Sequence, residues 1–76
     1  MFGESLEMLS VIHYGENKSW EIAHRMDLPI HRFRTIVEKL LRLQFICYDQ
    51  HDYSYSLTSR GKNVIKFAYA QIIAPA

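Results

Sequence analysis

The chain has 76 residues, 49% of them hydrophobic and 22% charged, with a formal net charge of +1. That composition excludes a disordered chain and suits one folded domain, spanning 1–76, close to the size at which a single core is only marginally stable. The single cysteine, Cys47, excludes an internal disulfide framework and a cysteine-rich zinc site, and the near-neutral charge means that any nucleic-acid binding must come from where the charges sit.

The first ten residues, MFGESLEMLS, carry acids where a signal peptide carries bases, and no apolar run is long enough to span a bilayer. Cytosolic residence is the expectation. Residues 4 to 14 read as a first helix, with Leu6, Leu9 and Ile12 spaced by three and Met8 and Val11 widening the stripe. Gly15 is placed to end it as a left-handed cap. After the polar link Glu16-Asn17-Lys18, Ser19 is the expected N-cap of a short second helix, Trp20 to Met26, with Ile22, Ala23 and Met26 facing inward. Asp27-Leu28-Pro29 breaks that pattern, because the residue before a proline avoids the α region.

The next stretch, Pro29 to Leu43, is the most strongly patterned in the chain. At about 100° per residue, Ile30, Phe33, Ile36, Val37, Leu40, Leu41 and Leu43 fall in one arc of roughly 160°. The opposite arc holds His31, Arg32, Arg34, Thr35, Glu38, Lys39 and Arg42, of which Glu38 alone is acidic. Two helices joined by so tight a turn form a helix-turn-helix.

Beyond Leu43 the period changes. Phe45 to Asp49 and Tyr53 to Leu57 are rich in β-favouring residues and flank the polar Gln50-His51-Asp52, which predicts a β-hairpin. A turn centred on His51-Asp52 puts Ile46, Tyr48, Tyr55 and Leu57 on one face and Cys47, Asp49, Ser54 and Ser56 on the other. A three-residue loop would shift that register. Thr58 then caps a last helix, Ser59 to Ile73, with Gly61 in its first turn where a side chain would obstruct close packing. The expected class is α+β, mainly α.

Helix, short helix, amphipathic helix, hairpin, helix is the order of a winged helix-turn-helix. From Trp20 to Ile73 the chain resembles the small archaeal winged-helix regulators that dimerise through a C-terminal helix, and more distantly the MarR-like regulators. Ile22, Leu28, Phe33, Val37, Leu40, Phe45 and Ile46 carry the resemblance, together with Tyr55-Ser56-Leu57-Thr58-Ser59-Arg60-Gly61, which is similar to the family's Y-x-L-T-x-x-G signature. The resemblance implies a homodimeric transcriptional regulator of double-stranded DNA. Three positions depart from the family pattern. Pro29 stands where a serine or threonine usually opens the recognition helix, Gln44 replaces a glycine before the first strand, and the tip Asp49-Gln50-His51-Asp52 is acidic where a wing along DNA carries lysine or arginine.

His31, Arg32, Arg34 and Thr35, in the first two turns of the third helix, are the expected major-groove contacts, since a guanidinium can pair bidentately with the O6 and N7 of guanine. Lys39, Arg42, Lys18 and Arg25 are the expected phosphate contacts. The competing account of this face is a solvated basic stripe. Winged helices also serve as protein-binding modules, and the near-neutral charge, acidic tip and apolar last helix speak for that alternative.

On the last helix Val64, Ile65, Phe67, Ala68, Tyr69, Ile72 and Ile73 cover roughly 240° of the wheel, more than one small core needs, and are the expected dimer surface, joined by Met8 and Val11 of the first helix. Trp20 is expected as a partly buried core aromatic, and Tyr48, Tyr53 and Tyr55 as cross-strand packing. His13, His24, His31 and His51 lack paired ligand spacings, and no nucleophile is accompanied by a base and orienting group. Neither a metal, a cofactor nor catalysis is expected.

Overall fold

The computed structural model describes the backbone of residues 3–73 and the side chains of residues 3–68. Four helices and one antiparallel hairpin follow in the order α1 (Gly3–His13), α2 (Ser19–Met26), α3 (Ile30–Arg42), β1 (Ile46–Asp49), β2 (Ser54–Leu57) and α4 (Ser59–Ile73). The molecule is thus α+β and mainly helical, as its periodicities predict.

Helix ends are set by one device used three times. At the end of α1, Gly15 has φ of 126°, and the Gly15 and Glu16 amides donate to the carbonyls of Ile12 and Val11. Asp27 (φ 54°) closes α2 and Gln44 (φ 63°) closes α3 with the same pair of backward bonds, from Asp27 and Leu28 to His24 and Ala23, and from Gln44 and Phe45 to Leu41 and Leu40. Each is a Schellman-type stop, which satisfies carbonyls that the helix itself leaves open. Gln44 therefore makes the turn that a glycine would make, at the steric cost of a side chain in the left-handed region.

Two helix starts differ from the sequence expectation. Ser19 lies inside α2, and the N-cap is Lys18, which is extended at φ −94° and ψ 150°. The reason lies in β2. Lys18 forms a bridge with Ser54, and the Tyr55 amide donates to the Asn17 carbonyl at 2.7 Å, so the link between α1 and α2 pairs with the hairpin and holds its extended form up to residue 18. The Glu21 carboxylate reaches back to accept from the amides of Asn17 and Lys18 at 3.3 and 3.2 Å. Pro29 is the N-cap of α3 rather than its first helical residue.

The core gathers Met8, Leu9 and Ile12 of α1, Ile22 of α2, Phe33, Ile36, Val37 and Leu40 of α3, Ile46 of β1 and Ile65 of α4. Fully burying an aliphatic or aromatic side chain of this kind contributes about 1.5–3 kcal/mol. Several residues assigned by pattern lie elsewhere. Met8 is 0% exposed and Ile65 is 3% exposed, so both are used inside the monomer and neither can also form a second face. Ile30, Leu41 and Leu43 are exposed: Ile30 opens the helix beyond the reach of the core, and the other two sit at the margins of the apolar arc.

The hairpin adopts the register centred on His51-Asp52, with Ile46 opposite Leu57, Cys47 opposite Ser56, Tyr48 opposite Tyr55 and Asp49 opposite Ser54. Its loop includes Tyr53, which has φ of 57° and leaves the strand. The Asp49 carboxylate accepts from the His51 amide at 2.8 Å, and the Ser54 hydroxyl donates to the Asp52 carboxylate at 2.6 Å, so the acidic side chains build the turn they sit on.

The hairpin is fixed to α4 at a tight seam. A Cβ on Gly61 would lie 2.0 Å from the Phe45 carbonyl oxygen, a distance no atom can occupy, so the first turn of α4 approaches the root of β1 only because residue 61 is glycine. Thr58 caps that turn. Its hydroxyl accepts from the Gly61 amide at 3.0 Å and donates to the Gln44 carbonyl at 2.6 Å, while its own amide donates to Phe45.

Candidate nucleic-acid interface

Phe33, Ile36, Val37 and Leu40 pin α3 to the core along one side, which leaves His31, Arg32, Arg34, Thr35, Glu38, Lys39 and Arg42 exposed on the other. The helix is rigidly mounted by its apolar stripe and presents cations outward. Rotation of about 100° per residue divides these cations between two flanks. Arg32 and Lys39 lie on the flank toward α1, whereas Arg34 lies on the far flank. Arg42 and His31 lie between. Arg34, Lys39 and Arg42 have no ion-pair partner among the described residues. The Thr35 hydroxyl donates to the His31 carbonyl, one turn back along its own helix, at 2.9 Å.

Arg32 is different. Its Nε lies 2.9 and 3.1 Å from the two carboxylate oxygens of Glu4, and its Nη2 lies 2.6 Å from Oε1. This charge-assisted contact joins the first turn of α1 to the first turn of α3 beside an open depression lined by Ser5, His31, Thr35, Ile36 and Lys39. The hydrogen bond from Arg32 holds the Glu4 carboxyl below its usual range, and the same bond raises the arginine further above neutrality. A carboxylate with a lowered pKa stays charged as the pH falls, so the pair persists throughout the neutral range. Nothing in the sequence links these two residues, which lie 28 positions apart.

The other expected phosphate ligands are engaged to differing degrees. Arg25 faces Glu16 at 3.6 Å, a solvent-exposed pair that leaves its guanidinium accessible. Lys18 donates through Nζ to the Asp52 carbonyl and so ties the start of α2 to the hairpin tip. The tip remains acidic and exposed. The Ser54 hydroxyl holds the Asp52 carboxyl below its usual range, so that charge is secure at neutral pH.

Trp20 is 71% exposed and is not a core aromatic. On a helix of two turns it points roughly 160° away from Ile22, the one fully buried residue of α2, so the packing that holds α2 cannot reach it. It borders a shallow recess with Tyr53, Lys18 and Asp52. Tyr48 and Tyr55 do pack across the hairpin, with ring centroids 4.8 Å apart. Cys47 is exposed on the opposite face of the hairpin, 3.2 Å from the Ser56 hydroxyl.

Of the expected dimer residues, Val64 and Ala68 are half-buried, Phe67 is 66% exposed and Ile65 is in the core. Val11 is half-buried against that core. The side chains of Tyr69, Ile72 and Ile73 lie outside those described. Among the described residues no three His, Cys, Asp or Glu side chains are grouped to hold a metal, and no helix is long and apolar enough to cross a membrane. Comparison with family models, curated proteins and solved structures gave no match to this chain.

Proposed function

We propose that this protein is a winged-helix DNA-binding protein of the cytosol that acts as a homodimeric transcriptional regulator, with α3 in the major groove and the hairpin as its wing. The observation that carries the reading is the exposed face of α3, opposite the side locked into the core, where Arg34, Lys39 and Arg42 form no ion pair with any carboxylate of the described residues. A helix so mounted can enter a groove without rearrangement. Arg34 supplies base contact, Lys39 and Arg42 supply phosphate contacts, and Arg25 adds one at the margin. The α4 helix joins two copies through Phe67 and the apolar residues beyond it, and so sets the spacing of two half-sites.

Support also comes from the chain's topology. The link at residues 17–18 pairs with β2 and the hairpin returns directly into α4, so the hairpin is braced against the helices as a wing must be. A second reading, a winged helix that binds protein, is favoured by the acidic tip and by the near-neutral net charge.

The test is fluorescence anisotropy of a labelled random-sequence duplex across a range of salt concentrations. Phosphate neutralisation predicts a straight decline of log affinity with log salt, with a slope of about −0.9 per neutralised phosphate. A folded protein that fails to bind at low salt refutes the DNA reading and leaves the protein-binding one.

A further inference from the structure

The contact between Glu4 and Arg32 occupies one particular edge of the guanidinium. Glu4 takes Nε and Nη2, the side-on edge, while Nη1 makes no hydrogen bond among the described residues. An arginine has five N–H donors in a planar fork, so a carboxylate on the side-on edge leaves the end-on pair, Nη1 and the second hydrogen of Nη2, for another acceptor. Because the guanidinium is planar and both carboxylate oxygens engage it, the contact sets its plane and direction in this structure. The Arg32 side chain nonetheless remains 57% exposed.

Such a contact does little for stability, since an ion pair in water gains little and orders two flexible side chains. Its consequence is orientation. A free arginine must surrender its rotamer freedom when it meets a base, whereas one already held in place does not. Guanine in the major groove offers O6 and N7, which match the end-on fork of an arginine.

We infer that Glu4 is a positioning residue for DNA readout, holding the side-on edge of Arg32 so that its free fork meets one guanine of the recognition site. The inference rests on the proposed DNA-binding function and adds to it a specificity determinant from α1, outside the helix that enters the groove. Arg32 thereby differs in role from Arg34. The former reads a base through a fixed guanidinium, and the latter adapts to what it meets.

The test is selection of bound duplexes from a random-sequence pool by the full chain, its Arg32→Ala variant and its Glu4→Ala variant, with circular dichroism melts to establish that each is folded. Wild type is expected to enrich guanine at a position that loses its preference in Arg32→Ala. Glu4→Ala is expected to lose preference at that same position while other positions persist, with the ratio of selected-site to random-duplex affinity falling about tenfold. Glu4→Gln, which keeps the side-chain size and one acceptor oxygen, should retain part of the preference. If Glu4→Ala tightens binding to all duplexes and leaves every base preference intact, Glu4 is only a competing anion and the inference fails, though DNA binding stands. If wild type binds no duplex, the DNA reading fails and the inference with it.

Discussion

The exposed face of α3 and the tip of the hairpin are opposite in charge and opposite in how they use it. On α3 most of the cations are surplus to the fold: Arg34, Lys39 and Arg42 hold nothing in place among the described residues, and their helix is fixed by its apolar side and by the Arg32–Glu4 contact. At the tip the acids are structural. Asp49 accepts from the His51 amide, Asp52 accepts from the Ser54 hydroxyl, and the Asp52 carbonyl receives Lys18. A charge with no structural partner is free to meet a ligand, while one that builds its own turn has a local reason to be there. The contrast explains how an acidic tip and a basic helix can coexist in a protein proposed to bind DNA. The tip's composition answers to the turn, and the helix's, on the proposed function, to the DNA.

The largest expected effect comes from disconnecting the two regions. Gly61→Ala places a methyl group where the Phe45 carbonyl stands, at the point where α3 hands over to the hairpin, and the backbone of one must move. We expect a loss of about 3 kcal/mol or more, since neither neighbour is a flexible side chain that can swing aside. Thermal melting measures it, and a melting temperature equal to wild type would mean that the seam is looser than its geometry implies.

A smaller effect tests the helix face alone. Arg34→Ala should leave the melting curve in place, because Arg34 has no partner to lose, and weaken binding to a selected site by about 1–3 kcal/mol, tenfold or more. Unchanged affinity would remove Arg34 from the interface. The smallest effect concerns the tip. Gln50 is exposed and makes no hydrogen bond to other described residues, so Gln50→Lys adds a cation without disturbing the turn. With the acidic tip held off the phosphates, the salt dependence should stay within a few tenths of wild type. A slope steeper by about one unit would put the tip on the DNA backbone and end the contrast between the two regions.

Much of the fold was legible because its signals are short in range. The apolar residues of α3 declared its buried side, the two aromatic runs flanking Gln50-His51-Asp52 marked the hairpin while leaving open the register that the structure then chose, and Gly61 marked a close approach before any neighbour was known. Trp20 lies outside the core because hydrophobicity identifies what can be buried, whereas the length of α2 and the position of its one anchor, Ile22, decide what is. Met8 and Ile65 lie in the core instead of on a dimer surface for a related reason. The last helix shows more apolar surface than one core needs and the first has a widened stripe, and only their packing reveals which residues the core takes.

The sequence by itself determined the elements, their order, the presence of the hairpin and the division of α3 into a buried and a basic side. Each of these depends on residues a few positions apart, where helix and strand periods bring neighbours together. Tertiary structure alone decided that the link at Asn17-Lys18 pairs with β2, that Glu4 holds Arg32, and that the basic face consequently contains one engaged arginine and two, Arg34 and Arg42, without an ion-pair partner among the described residues. Those contacts join residues far apart in the chain, and nothing in local propensity encodes which distant side chain will arrive when the core closes.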